Sequence, residues 1–131
     1  MGRRGLVSGF VILIALSTSL RASDQSWSGY IIDVACARDR KNNLSNLGPE
    51  HTHKCLEMPA CQNSGYALLT DELKVLRFDA RGNDLAKKLL EKDRWRAGAK
   101  IRVDGNCEGD LLLVKQLKCC SRKQPLQSRG R

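Results

Sequence analysis

From Trp27 to Cys36 apolar and polar positions alternate, with Tyr30, Ile32, Val34 and Cys36 on one side and Gly29, Ile31 and Asp33 on the other. That is the period of a half-buried strand. Two short β-prone runs, Gly65 to Leu69 and Leu73 to Phe78, flank the polar Thr70-Asp71-Glu72, a turn of hairpin length. Next, Leu85, Ala86, Leu89 and Leu90 recur at three- and four-residue spacing behind Gly82-Asn83-Asp84 and stop before Arg96-Ala97-Gly98. This predicts one amphipathic helix with its cap. Lys100 to Asp104 alternates again with Ile101 and Val103 inward, Gly105 to Asp110 reads as a turn, and Leu111 to Cys119 supplies a last strand. The stretch 37–63 is polar, contains Pro49 and Pro59 and holds no sustained period. It predicts a long loop, which inside a small domain needs a function or a staple.

These elements predict a mainly β domain with one helix. Their order, with the helix between strands three and four, is that of a five-stranded, partly open OB-fold-like barrel. Two segments carry a resemblance in the same direction. Ala99-Lys100-Ile101-Arg102-Val103-Asp104-Gly105 followed by Gly109-Asp110-Leu111-Leu112-Leu113-Val114 resembles the closing hairpin of small exported bacterial OB-fold-like proteins, a group of uncharacterised function. Ser28-Gly29-Tyr30-Ile31-Ile32-Asp33-Val34-Ala35-Cys36 resembles the opening of such exported families. The resemblance implies a fold and no activity.

The ends change the picture. Arg3 and Arg4 precede a charge-free run from Leu6 to Leu20, and Leu20-Arg21-Ala22 closes it on a small residue, which is the plan of a cleavable signal peptide over 1–22. The run is shorter than the roughly 18 apolar residues of a membrane span, so no transmembrane anchor is expected after cleavage. Export to a periplasm or the exterior follows, by the general secretory or the twin-arginine route. What remains suffices for one domain, 23–120. Residues 121–131, with Arg122, Lys123, Arg129 and Arg131 and little that is apolar, read as a disordered basic tail. Without the leader the chain keeps 20 Lys and Arg against 14 Asp and Glu, or +6, spread along its length except for this tail, which reads as solubility.

All six cysteines lie beyond the leader. In an exported domain of this size an even count predicts disulfides, with Cys36, Cys55, Cys61, Cys119 and Cys120 as candidates. In the barrel, Cys36 would neighbour Cys119 or Cys120, Cys55 would pair with Cys61 or compete for Cys36, and Cys107 would be left over. The other reading of the same residues is metal binding. His51-Thr52-His53-Lys54-Cys55, with Cys61 six residues on, offers imidazole and thiolate for zinc or copper, and Cys36 would complete the set with His51, His53, Cys55 and Cys61. The Cys-x5-Cys spacing differs from the Cys-x2-Cys of common zinc sites.

Catalysis finds little support, since no nucleophile elbow, Cys-x-x-Cys or phosphate-cradling glycine loop is present. Asp33 and Asp104 could form an acid-base pair on adjacent strands, but both read as surface aspartates at strand ends. Nucleic acid is disfavoured because the aromatics are few, several of them at core positions, and because export separates the chain from cytoplasmic nucleic acid. The sequence thus predicts an exported, disulfide-stabilised, non-catalytic binding domain without a cofactor, its partner an unknown ligand or an envelope protein. The alternative is a periplasmic zinc- or copper-binding protein using the His51–Cys61 loop.

Overall fold

The computed structural model describes residues 24–92 and 98–119; the leader 1–22, Cys120 and the basic tail lie outside the described residues. Five strands, β1 (Gln25–Asp33), β2 (Tyr66–Thr70), β3 (Val75–Phe78), β4 (Ile101–Glu108) and β5 (Leu111–Cys119), form one mixed sheet. Its strands pair in the closed order β1-β2-β3-β5-β4. Every pairing is antiparallel except β3 with β5, where Arg77 and Phe78 run alongside Leu111 and Leu112.

The expectation of a mainly β, OB-fold-like domain with one helix is overturned. Five helices are present among the described residues, α1 (Val34–Asp39), α2 (Leu44–Glu50), α3 (His53–Glu57), α4 (Pro59–Ser64) and α5 (Ala80–Leu90), and helix and strand each take 38% of those residues. The helix expected between the third and fourth strands is α5, one of five. The other four occupy the predicted loop 37–63. Each is five to seven residues long, too short for a helical period to show, and each buries only one or two side chains, among them Ala37, Leu47, Leu56 and Cys61.

Strand one ends at Asp33 rather than running to Cys36. The Asp33 side chain accepts a hydrogen bond from the Cys36 amide, and this N-cap turns the chain into α1. Helix α5 likewise starts before the predicted cap. Asp79 Oδ1 accepts from Gly82 N at 2.8 Å and also from Val114 N at 3.2 Å, so one carboxylate starts the helix and fastens it to β5. Asn83, predicted as part of the cap, instead accepts from Tyr66 N at 2.7 Å and donates to Phe78 O and Asp79 O. Strand β4 continues to Glu108, through the predicted turn, with a register shift at Asp104/Gly105.

Strands β1 and β2 bury both faces. Ile31 and Leu68 point into the larger core with Phe78, Leu89, Ile101 and Leu112, while Ile32, Ala67 and Leu69 pack with Ala37 and Leu47 of α1 and α2. Helix α2 approaches β1 so closely that a Cβ on Gly48 would stand 2.4 Å from the Tyr30 ring. The end of β1 is therefore enclosed between the sheet and the short helices. No helix among the described residues is long and apolar enough to cross a membrane.

The approach of β1 to β2 gives a test of this packing. A Cβ at Gly29 would lie 2.1 Å from the backbone oxygen of Leu69, a contact that backbone alone must relieve. Gly29→Ala is expected to lower unfolding free energy by about 3 kcal/mol, read from the urea midpoint. An unchanged midpoint would show that the two strands are farther apart than described.

Candidate metal centre

Each of three short helices delivers one cysteine from its first turn. Cys36 stands three residues after the cap Asp33, Cys55 three after the cap Thr52, and Cys61 three after Met58, the cap of α4. Thr52 Oγ1 accepts from Cys55 N at 3.1 Å, and Pro59 occupies the first turn of α4, where its missing N–H costs nothing. Ser64 Oγ accepts from Ala35 N, and Val34 N donates to Gly65 O, so the start of α1 is tied to the end of α4.

This arrangement gathers Asp33, Cys36, Cys55 and Cys61. One ligand atom from each lies within 4.8 Å of all the others. The Cys36 and Cys55 sulfurs are 3.9 Å apart. Two thiolates at about 2.3 Å from a tetrahedral zinc stand about 3.8 Å apart, whereas a disulfide needs about 2.05 Å. Asp33 and Cys61 are buried, and Cys36 and Cys55 are half-buried. The latter two open onto a cleft of about 150 Å³ that Arg40, Glu50, His51 and Thr52 also line.

Asp33 is completely buried. Its Oδ1 caps α1, and its Oδ2 stands 2.9 Å from Nε2 of the buried His51. That spacing is close enough for an ion pair but lacks hydrogen-bond alignment, and both atoms are left without a hydrogen-bond partner. An orphaned carboxylate oxygen in the interior is costly. Burial lowers the His51 pKa despite the opposing pull of Asp33, which favours a neutral ring. Burial, and after it the nearby Asp33, pushes the Cys61 thiol up to about 11 and the Cys36 thiol higher still. In the metal-free protein these two are thiols, and a cation that converts them to thiolates must displace protons.

Of the residues singled out from sequence, Cys36, Cys55 and Cys61 come together. His51 stands against Asp33 and lines the same cleft as Cys36 and Cys55, and His53 faces Glu57 across one turn of α3, 3.2 Å away. Sequence reasoning misses Asp33, which reads as a surface aspartate at a strand end. The signal for it was present in Asp-x-x-Cys, the spacing of an N-cap to the amide it holds. Cys119 does not neighbour Cys36: it pairs with Ile101, which pairs with Gly29 in the middle of β1. The Cys107 thiol donates to Gly109 O. Cys36, Cys55, Cys61, Cys107 and Cys119 are all free thiols.

A larger cleft of about 650 Å³ lies elsewhere, between Asp24, Arg81, Arg102, Asp104 and Lys115. Two of its three cations are paired, Lys115 with Asp24 and Arg102 with Asp104, and Arg81 donates to the Lys115 carbonyl. Comparisons with known protein families, characterised proteins and solved structures return no match.

The lowered His51 pKa fixes a pH dependence. Above the ordinary histidine value of about 6.5 the ring is neutral in both folded and unfolded chains. As pH falls through that value the unfolded chain takes the proton first, so stability is lost toward acid. The urea midpoint of the metal-free protein is expected to drop between about pH 7.5 and about pH 5.5, and to drop less in His51→Gln. Equal drops in the two proteins would remove this account.

Proposed function

We propose that the protein is a metal-binding protein that holds one zinc ion through Asp33, Cys36, Cys55 and Cys61. The observation that carries the reading is the convergence of three sulfurs and one carboxylate, one atom of each within 4.8 Å of the rest; the carboxylate is fully buried, and one of its oxygens has no hydrogen-bond partner. A cation held by that carboxylate offsets the cost of its burial and reverses the cost of ionising the buried thiols.

The donor set favours zinc over copper. Copper(I) prefers sulfur alone, while zinc accepts thiolate and carboxylate together. Four protein ligands fill a tetrahedral shell and leave no position for substrate, which supports holding the metal rather than catalysis. His51, with Nε2 2.9 Å from Asp33 Oδ2, is the neighbour that would orient this carboxylate once an ion is held. Export, read from the first twenty-two residues, belongs to the same proposal, and zinc is then the ligand of the binding domain.

Native mass spectrometry of the reduced, zinc-reconstituted chain is expected to show one ion per chain, and cobalt substitution the visible bands of a tetrahedral thiolate site. Zinc at about a hundred times its dissociation constant should add about 2.7 kcal/mol to stability. Cys61→Ser should abolish that gain, His51→Gln should weaken affinity about tenfold or more, and His53→Ala should leave it unchanged. A chain that retains no zinc, or one in which His53→Ala is as damaging as Cys61→Ser, would overturn the assignment.

A further inference from the structure

We infer that Cys36 and Cys55 form the oxidation site of this centre: hydrogen peroxide joins them in a disulfide, and the zinc leaves. The inference rests on the zinc reading above and adds to it a chemical control over the same site.

The four ligands are not equivalent. Asp33 and Cys61 are buried, whereas Cys36 and Cys55 are half-buried and both line the cleft of about 150 Å³. That cleft has room for a few molecules the size of water, each about 30 Å³, and hydrogen peroxide is scarcely larger. The two sulfurs it reaches are 3.9 Å apart and ride on separate short helices, α1 and α3. Bonding requires them to approach to about 2.05 Å, and each helix need move by only part of the difference.

The reaction balances within these groups and the peroxide. One thiolate attacks a peroxide oxygen, the S–O bond forms, the O–O bond breaks and hydroxide departs. The second thiolate attacks that sulfur, the S–S bond forms, the S–O bond breaks and a second hydroxide departs. Solvent protons convert both hydroxides to water. The two sulfurs together lose two electrons and the peroxide gains them. Zinc is then left with Asp33 and Cys61 alone, too few ligands to keep it. The site therefore alternates between a metal-bound form under reducing conditions and a bridged, metal-free form under oxidising ones, and a thiol reductant followed by zinc returns the first.

The test uses the zinc-loaded chain carrying Cys107→Ser, Cys119→Ser and Cys120→Ser, so that only the three ligand thiols remain. Zinc content is measured first. Hydrogen peroxide is then added, released zinc is followed with a chromogenic chelator, and the linked peptides are mapped by mass spectrometry. The expected result is one zinc released per bridge, a Cys36–Cys55 linkage, and free thiols falling threefold, from three to one, with Cys61 the survivor. A bridge that includes Cys61, release accompanied by sulfinic acids without a bridge, or zinc retained after peroxide would each overturn the inference. A chain that carries no zinc at the outset sinks the zinc reading and the release with it. The oxidation site is then judged on the same peroxide treatment of that metal-free chain, in which each thiol gives its proton to the departing hydroxide: a Cys36–Cys55 bridge upholds it, and any other product, or none, overturns it.

Discussion

A single buried carboxylate organises the molecule around its candidate centre. Asp33 ends β1, starts α1 by holding the Cys36 amide, and faces His51 with its second oxygen. Removing a carboxylate from water costs several kcal/mol unless something repays the lost hydration. One backbone amide does so in part. The carboxylate's Oδ2 has no aligned hydrogen-bond partner, and burial, with the nearby Asp33 after it, raises the pKa of the adjacent Cys36 and Cys61 thiols. The chemistry of the cluster thus follows from burial together with the placement of this carboxylate.

That placement depends on β1 and β2 being covered on both faces. Every residue of β2 is buried, and the two cores meet across these strands. The enclosing layer on the outer side is made of α1 and α2, helices too short to be stable alone. Their order comes from the Asp33 cap of α1, from Gly48 of α2 seated on Tyr30 and from the few apolar side chains they place on the sheet. Such segments can move more readily than the strands beneath them, which suits a site whose ligands must close on an ion.

The strands were legible because their side chains alternate and because Gly and polar residues punctuate them; β2, β3 and β5 begin or end within a residue or two of where the pattern put them. The four helices of 34–64 were not, since one or two buried residues per helix give no period to detect. The thiols of the centre were legible as chemistry, but their geometry was not. The expected neighbours Cys36 and Cys119 assumed that β1 ran on to Cys36, whereas Asp33 turns the chain first. Asp33 itself was hidden by its type, because a carboxylate at a strand end is ordinarily solvated.

The ligand positions all fall between residues 33 and 61, while the strand ring is closed by β1 and β4, which bring Gln25 beside Gly105. Loop closure grows costlier with the length of chain enclosed, and contacts distant in sequence form late. The two parts of the domain therefore stand at opposite ends of the assembly order. The centre can gather over short spans of newly made chain, whereas the ring must wait until nearly the whole domain is available to meet itself.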